Sequence, residues 1–473
     1  MVFSSTVFLL AFLPLTLAAY FVIPQKYTAG RNIVLLTASL IFYAWGEPKY
    51  ILLMLCSILC SWLLALEIQR RQMKNHQLGA HAVLMVSVLL HLAALGFFKY
   101  TDFLLQTVNN LFHCGFLLPG IALPIGISFY TFQTLSYIID VYRKEIPAQK
   151  NLTAFAMYVS LFPQLIAGPI VRYQDVNDKL CERPQNSAQI AEGIRRFIAG
   201  FAKKILLANQ VCIIWEEISQ AGTVSAAAAW LGAAAFTFQI YFDFSGYSDM
   251  AIGLGKIFGF DYPENFRYPY ISQSITEFWR RWHISLGTWF REYVYIPLGG
   301  NRKGTVRQIL NIAAVWALTG LWHGASWNFV FWGIYFAVLL IAEKLFMLRF
   351  LEKLPAALRH FYALFFIVCG WVIFALPAFS SVLQYFSMMA GKSGMLTDDI
   401  FFYFIRSRAV LLLICALFAT PLPKKAAAAF RKSFENRPML YGLCESGILL
   451  LVFCCSVAFL VSSAYNPFLY FRF

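Results

Sequence analysis

Charged side chains are scarce in this sequence. Asp, Glu, Lys and Arg account for 13% of the 473 residues, whereas 60% are hydrophobic and 18% are aromatic. A soluble domain is typically only roughly 45–50% apolar. No polar stretch is long enough to fold as a separate soluble domain, and apolar runs near the roughly 20 residues that span a bilayer recur throughout. The composition therefore excludes a soluble protein and predicts an all-α, polytopic membrane protein with one membrane-embedded domain over residues 1–473.

The sequence also lacks the patterns that mark a metal centre, a disulfide framework or a nucleotide site. Most of its ten cysteines lie inside apolar runs, where the thiol packs as a small hydrophobic group. The glycines at 253, 255 and 259 imitate a dinucleotide-binding fingerprint but follow no predicted strand. We therefore predict no metal site and no permanently bound cofactor.

Acidic residues are the rarer charged class, with 23 Asp and Glu against 38 Lys and Arg and a net charge of +15. An anionic partner would explain this excess, but membrane proteins also collect Lys and Arg in their cytoplasmic loops. We favour the second explanation, so the lipid bilayer is an expected partner and nucleic acid is not. The first apolar run has no basic residue before it and is expected to remain as an anchor.

Basic clusters between the apolar runs set the predicted topology. They place 67–76, 142–151, 256–307 and 422–438 on the cytoplasmic side, and both termini on the other side. The runs lie at about 2–23, 32–45, 50–66, 80–98, 116–141, 152–171, 205–219, 224–243, 308–322, 327–343, 360–377, 400–420 and 440–463.

The run 152–171 is unusual because basic residues follow both of its ends. Pro163 removes a helix donor, and the Gly168-Pro169 pair disfavours continuation of the helix. A broken or re-entrant helix is tolerated at membrane depth where protein buries it. We expect that this segment does not cross the membrane as one straight helix.

Two histidines stand in the stretch 268–329, which holds a Trp-rich basic helix. His283 follows Trp-Arg-Arg-Trp, and Ser274 with Glu277 has the spacing of a capping box. This pattern predicts one interfacial helix that continues from there to Phe290 with its aromatic residues on one face. On such a helix His283 needs no special explanation, so its role stays open.

His323 lies in the turn between two short apolar runs. Each run has near 15 residues, or roughly 23 Å, which is shorter than a roughly 30 Å hydrocarbon core. The turn should therefore lie below the membrane surface, where a charged imidazole is costly and a neutral one can accept a proton. Such a base would activate an alcohol, typically by about 10²–10⁴-fold. The alternative is a packing histidine, and Ser326 as a nucleophile lacks a third orienting group.

Charged residues near these histidines are further candidates. Arg280, Arg281, Arg302 and Lys303 have the chemistry to clamp a phosphorylated donor or to contact anionic lipid headgroups. Asp243 is a carboxylate inside an apolar run, which marks a functional candidate. A proton-coupled transporter or flippase would use the same buried groups as a proton relay, although the inverted repeats of many transporters are not visible.

Four strings resemble the membrane-bound O-acyltransferase (MBOAT) family. They are YISQSITEFWRRWHISL at 270–286, LFPQLIAGPIVRY at 161–173, QIYFDFSGYSDMAIGLG at 239–255 and LGGNRKGT at 298–305. The likeness extends over essentially the whole chain, including the closing NPFLYFRF at 466–473, with a motif core at 239–329. The resemblance implies that His323 is the catalytic histidine and His283 the second motif histidine. Substrate binding is assigned to Trp282, Arg280, Arg281, Asp243, Trp322, Asn328, Arg302 and Lys303.

The resemblance also implies an architecture and a reaction. Similar proteins form a ring of about 11–12 transmembrane or re-entrant helices, with interfacial helices, around a central channel. They carry an acetyl group from a cytosolic thioester, acetyl-CoA or another, towards an extracytoplasmic polysaccharide. The acceptor would be an alginate-like exopolysaccharide, with peptidoglycan or another envelope polymer as the alternative. An exported SGNH-type acetyltransferase partner and a bacterial inner-membrane location are implied as well.

Overall fold

A computed structural model describes residues 1–166, 168–462 and 468–469. Throughout these residues the regular structure is helical, which confirms the all-α prediction. The helices are α1 Phe8–Val22, α2 Thr28–Gly46, α3 Ile51–Met73, α4 Gln77–Phe112, α5 Ile127–Tyr142, α6 Leu152–Ser160, α7 Phe162–Leu165, α8 Tyr173–Cys181, α9 Ser187–Gln220, α10 Ala226–Ile257, α11 Ile275–Arg281, α12 Ile284–Phe290, α13 Thr305–His323, α14 Trp327–Leu351, α15 Ala356–Ala375, α16 Phe379–Met389, α17 Asp399–Phe418, α18 Leu422–Ser433 and α19 Pro438–Ser462.

Seven of the described helices, namely α3, α4, α9, α14, α15, α17 and α19, are long and apolar enough to cross a membrane. The polytopic prediction is therefore confirmed. The chain folds into two compact units. Unit 1 comprises Met1–Phe197 with Met250–Pro263, and unit 2 comprises Ile198–Asp249 with Glu264–Phe473. That all of this forms one functional domain stays a prediction.

In unit 1 the broken-helix prediction for 152–171 is confirmed. Helix α6 ends at Ser160, Leu161 is extended with ψ 112°, and α7 has only four residues. After α7 the chain approaches itself closely, since a Cβ on Gly168 would lie 2.7 Å from the Cα of Gln164. The fragment around Pro163 is buried in protein. Ala167, within this run, lies outside the described residues, as do 463–467 and 470–473, which hold most of the closing string.

Two predicted cytoplasmic turns of unit 1 lie against each other. The Gln72 Nε2 amide donates to the Tyr142 carbonyl oxygen over 2.7 Å, and the Ala148 N–H donates to Gln69 Oε1 over 2.6 Å. The turns 67–76 and 142–151 therefore lie at one end of this unit. That arrangement agrees with their assignment to one side of the membrane.

The structure corrects the predicted run 116–141. Helix α5 begins only at Ile127, and residues 113–126 have no helix. Pro119 and Pro124 interrupt the segment, and Gly126 adopts the left-handed region with φ 78°. A Cβ on Gly126 would lie 2.9 Å from the Leu165 carbonyl oxygen, so the close approach requires glycine. Hydropathy alone did not register these breaks.

In unit 2, helices α13 and α14 form a tight hairpin around the turn that carries His323. A Cβ on Gly320 would lie 2.3 Å from the Phe329 carbonyl oxygen, and one on Gly333 would lie 2.5 Å from that of Trp316. Glycine at both positions lets the two backbones touch, as small residues do between membrane helices. The hairpin fixes the position of His323.

Candidate active site

A break between α11 and α12 creates the position of His283. The predicted helix start is confirmed, because Ser274 Oγ accepts from the Glu277 N–H over 3.0 Å. The capping box is only half formed, since Glu277 Oε2 accepts from the Gln273 N–H over 2.9 Å and not from that of Ser274. The single continuous helix to Phe290 is wrong, since α11 ends at Arg281 and α12 begins at Ile284. His283 adopts φ 45° and ψ 53°, a left-handed conformation that stops the helix.

The hydrogen bonds of Asn265 determine which nitrogen of His283 carries the proton. Asn265 Oδ1 accepts from the Ser285 N–H over 3.2 Å and from the Ser285 hydroxyl over 2.9 Å, so this atom is the amide oxygen. His283 Nδ1 lies 3.1 Å from the same oxygen and must donate its hydrogen. Nε2 therefore holds the lone pair, and it has no hydrogen-bond partner among the described residues.

Burial keeps the His283 ring neutral. The residue is 2% exposed, and desolvation lowers the pKa of its imidazole from 6.5 to about 3. It lies outside the seven helices that can cross a membrane. A neutral imidazole with a defined tautomer and an available Nε2 can accept a hydrogen bond or a proton from a bound molecule.

An aromatic shell connects the two histidines. The His283 ring lies 4.7 Å from Phe244 and 5.9 Å from Trp322, between ring centroids. Trp322 lies in turn 5.1 Å from the His323 ring, which also contacts Trp332 at 5.0 Å. The structure therefore brings both predicted histidines into contact with one indole.

Further indoles extend this shell. The centroids of Trp279 and Trp316 are 4.5 Å apart, those of Trp282 and Trp371 are 4.7 Å apart, and Trp332 lies 5.6 Å from Trp279. We call the six residues Trp279, Trp282, Trp316, Trp322, Trp332 and Trp371 the tryptophan cluster. Its close edge-to-face and tilted contacts make the surroundings of both histidines largely apolar.

A cavity of about 440 Å³ in unit 2 reaches His283. Its wall is largely apolar and includes Trp279, Trp282 and Trp316 from the tryptophan cluster. Three exposed cations, Arg280, Arg291 and Lys344, also line it, and no carboxylate belongs to the described lining. The cavity therefore suits an anionic ligand with an apolar part. His323 is buried but does not line this cavity.

The other predicted substrate-binding residues lie elsewhere or have partners in the protein. Arg281 pairs with Glu277 at 2.8 Å and donates to the Arg267 carbonyl oxygen, so it supports the α11 end. Asn328 donates to the Phe374 carbonyl oxygen over 3.2 Å. Arg302 and Lys303 are exposed and do not line the cavity. Their substrate roles stay predictions.

Asp243 forms a buried ion pair. Its Oδ1 lies against Lys204 Nζ, and its Oδ2 accepts from the Leu469 N–H over 2.7 Å. The neighbouring Phe468 ring packs on Phe244, one of the His283 contacts, at 5.9 Å. Asp243 thus holds Phe468 and Leu469 beside the His283 shell. Whether it also contacts substrate stays a prediction.

Three residues of the site were not among the predicted ones. Asn265 orients His283 from eighteen positions earlier in the chain, and no local pattern announces such a contact. Arg291 and Lys344 join Arg280 on the cavity wall. Their charge was visible in the sequence, but only the tertiary fold brings the three together.

The fold and the site define a class of protein. An all-α membrane protein whose apolar cavity has cations on its wall and a buried neutral imidazole has the features of a membrane-embedded enzyme. The model of the family described as MBOAT, membrane-bound O-acyltransferase family, matches residues 40–386. The chain belongs to this family and is a membrane O-acyltransferase.

Individual curated proteins are also similar to this chain. The chain is 38% identical to the probable alginate O-acetylase AlgI of Azotobacter vinelandii over 504 residues, covering all of both proteins. It is 44% identical to the probable alginate O-acetylase AlgI of Pseudomonas aeruginosa over 378 residues, covering 79% of this chain and 72% of that protein. It is 32% identical to the peptidoglycan O-acetyltransferase of Helicobacter pylori over 518 residues, covering all of this chain and 98% of that protein.

Proposed function

We propose that this protein transfers an acetyl group from a cytosolic thioester to a polysaccharide outside a bacterial inner membrane. The observation that carries this is the His283 cavity, which pairs an available Nε2 and an apolar wall with three cations and no described carboxylate. A thioester such as acetyl-CoA has the matching parts, a short acyl group, an apolar arm and phosphates. The relatives support acetyl as the acyl group.

The chemistry requires a base and a bound donor. A hydroxyl must lose its proton as its oxygen attacks the thioester carbonyl carbon, and the thiolate leaves when the new ester forms. We assign the role of proton acceptor to His323. We assign binding of the thioester to His283, whose Nε2 can accept a hydrogen bond from it at the cavity wall. Trp322 contacts both rings, and its apolar indole lowers the polarity around them.

An alginate-like exopolysaccharide is the acceptor we propose, since relatives of that name match the chain over its full length. Peptidoglycan is the second candidate, because a peptidoglycan O-acetyltransferase also matches over its full length. An exported SGNH-type acetyltransferase is the partner that we propose to complete the transfer outside. It would receive the acetyl group at the extracytoplasmic side.

The test compares His323→Ala and His283→Asn with wild type in cells. Alkali-labile acetyl groups are measured separately on exopolysaccharide and on peptidoglycan, normalised to the amount of protein in the membrane. His323→Ala should lower transfer by about 10²–10⁴-fold, or roughly 3–5 kcal/mol of transition-state stabilisation. His283→Asn should weaken transfer less and raise the donor concentration needed.

His76→Ala is the matched control, because His76 is an exposed histidine in the turn after α3. It should retain full activity. Wild-type acetylation of both polymers by His323→Ala would refute the base role and would favour a transporter that forms no acyl bond.

A further inference from the structure

The guanidinium of Arg183 in unit 1 is buried and forms no ion pair with a carboxylate among the described residues. It lies in the segment between α8 and α9 and is 3% exposed. None of its Nε, Nη1 and Nη2 atoms has a hydrogen-bond partner among the described residues. Burying a guanidinium is costly unless an anion or several acceptors compensate it. Burial lowers the pKa of Arg183, which is the direction expected of a cation without a counter-charge.

The surroundings of Arg183 offer more positive charge and more donors. The guanidinium stacks over the Phe260 ring at 4.6 Å from the centroid. The buried Tyr262 hydroxyl also has no hydrogen-bond partner among the described residues. The Tyr20 hydroxyl donates to the Phe258 carbonyl oxygen over 2.8 Å, and its oxygen is a nearby acceptor for Arg183, but this neutral phenol carries no charge to compensate the guanidinium. Arg31, itself 6% exposed, is close enough to repel Arg183 electrostatically.

The protein holds these groups in place with hydrogen bonds to the backbone. Gln25 Nε2 donates to the Arg183 carbonyl oxygen over 3.0 Å, and Arg31 Nε donates to the Ile23 carbonyl oxygen over 3.0 Å. Arg31 Nη1 also donates to Gln185 Oε1 over 2.6 Å. Three segments of unit 1 thus converge on a fixed arrangement, so the donors are organised in advance.

The acidic residues that are adjacent in sequence to Arg183 and to Tyr262 do not neutralise the guanidinium. Glu182 precedes Arg183 but is exposed, and Asp261 is exposed and lies 3.9 Å from Lys179. The unpartnered buried atoms are three guanidinium nitrogens and one phenol. Burial raises the pKa of Tyr262, so its hydroxyl remains a donor. A ligand for this group must therefore supply several acceptor oxygens and negative charge.

We propose that Arg183, Tyr262 and Arg31 form a binding site for a phosphate group in unit 1. A tetrahedral phosphate offers oxygens to a guanidinium edge and to a phenol at once, and the planar fork of arginine suits it. The phosphate belongs either to the headgroup of an anionic phospholipid or to free inorganic phosphate. The site shares no residue with the His283 cavity and has no assigned role in acyl transfer.

The positions of the segments that form the site support a phosphate that comes from a lipid headgroup or from the cytosol. Residues 256–260 lie in a segment that the positive-inside pattern assigns to the cytoplasmic side, and 24–31 and 182–186 also carry basic residues between predicted apolar runs. Anionic headgroups concentrate on that leaflet, as does cellular phosphate in the cytosol. Binding there would neutralise the buried charge and stabilise unit 1.

The first experiment uses the full-length wild-type protein purified in a phosphorus-free detergent. Native mass spectrometry and total phosphorus analysis should find about one phosphate or one phospholipid per chain. After delipidation, phosphatidylglycerol or inorganic phosphate at about 100 times its Kd should raise the melting temperature by about 3 °C. Phosphatidylcholine and chloride are the comparison ligands. A phosphatidylglycerol response identifies a lipid, and a phosphate response alone identifies the free anion.

Variants then locate the binding. Arg183→Gln should abolish the retained phosphorus and the thermal shift, and Tyr262→Phe, which removes one donor only, should weaken binding several-fold. Lys74→Gln removes a charge from an exposed position and should change neither. If Arg183→Gln does not fold, Arg183→Lys keeps the charge without the fork and should also reduce the shift. Wild type without bound phosphorus and without a shift, or a shift that Arg183→Lys and Tyr262→Phe keep in full, overturns the proposal.

Discussion

His283 is defined by its backbone as much as by its ring. Its left-handed conformation ends α11, begins α12 and directs the imidazole onto Asn265. Few non-glycine residues adopt this conformation, with Asn, Asp and His enriched among them. A change to alanine would therefore mix a backbone effect with a chemical one. Asparagine is the better replacement because it tolerates the same conformation.

Asn265 should act as a positioning residue. Asn265→Ala removes the acceptor that holds His283 Nδ1–H, so the ring can adopt the other tautomer. We expect acyl transfer to fall by about 10–100-fold, as for other partners that orient a functional imidazole. The measurement is the pH profile of transfer, normalised to folded protein. Ser285→Ala, which removes a hydroxyl on the same oxygen, should retain most activity and the wild-type profile; an equal loss in both variants would contradict the assigned tautomer.

The neutral His283 should make the protein acid-sensitive. Its pKa is about 3 in the folded protein and ordinarily 6.5, so below pH 6.5 only the unfolded state gains the proton. Its contribution to stability is full above pH 6.5 and is lost progressively as the pH falls towards 3. At pH 4.5 the loss should be about 2–3 kcal/mol.

Melting temperatures of wild type and His283→Asn between pH 4.5 and 7.5 measure this contribution. Asparagine does not titrate, so the variant should lose less stability on acidification. Parallel curves for the two proteins would contradict the buried, neutral state of His283.

At this scale the sequence predicted the residues with a local signature. Both histidines, Trp282 and Arg280 stand in short motifs. The structure places His283, Trp282 and Arg280 on the cavity wall and His323 behind Trp322, and their roles stay predictions. Asn265 could not be predicted, because its contact with His283 depends on how the loop before α11 folds back. Asp243 was recognised as an unusual carboxylate, but its pairing with Lys204 needs two helices to be placed.

At the scale of helices, the packing of the α13–α14 hairpin leaves no room for an added methyl group at Gly320. Gly320→Ala would place a methyl group 2.3 Å from the Phe329 carbonyl oxygen, a backbone atom that cannot turn aside. We expect a cost of about 1–3 kcal/mol in stability. A displaced hairpin should also lower acyl transfer, since His323 lies one turn further on.

Gly447→Ala is the matched control for the hairpin. Gly447 lies within helix α19, and a Cβ there would have no neighbour within 4 Å. Alanine should stabilise that helix by up to about 1 kcal/mol, because it favours helix more than glycine does. The measurement is the thermal unfolding of both variants in detergent. Equal stability of Gly320→Ala and Gly447→Ala would contradict the close packing of α13 on α14.

The sequence predicted the ends of the helices correctly where the hydropathy pattern and the helix-breaking or helix-capping residues indicated the same position. The break near Pro163 and the helix start after Ser274 followed from side-chain chemistry that acts within a few residues. The break at His283 did not, because the left-handed conformation is fixed by Asn265 and Ser285 through tertiary hydrogen bonds. Residues 113–126 misled the prediction because apolarity does not distinguish a helix from a buried or interfacial loop.

Over the whole molecule, the distribution of charge determines how the chain lies in the bilayer. The predicted topology puts 67–76 in the cytoplasm. Helix α4 is long enough to cross the membrane, so residues 113–126, which follow it, are expected on the other side. The contacts between 67–76 and 142–151 agree with it but do not fix the side of the membrane. An experiment in cells must supply that side.

Cysteine labelling tests the topology. In a background without the native cysteines, Arg71→Cys should react with an impermeant maleimide only after the cells are permeabilised. Leu118→Cys, in an exposed loop position, should react in intact cells and serves as the positive control. Labelling of position 71 in intact cells would show that the orientation in the membrane is the reverse of the predicted one.

The tryptophan cluster also gives the protein an internal spectroscopic probe. Half of the twelve tryptophans lie in it, and three of them line the cavity. Indole emission shifts with local polarity and is quenched by a protonated imidazole, and rings at these separations exchange excitation energy. A donor that displaces water from the cavity, or a proton that arrives on either histidine, should therefore change the fluorescence of the unlabelled protein in real time.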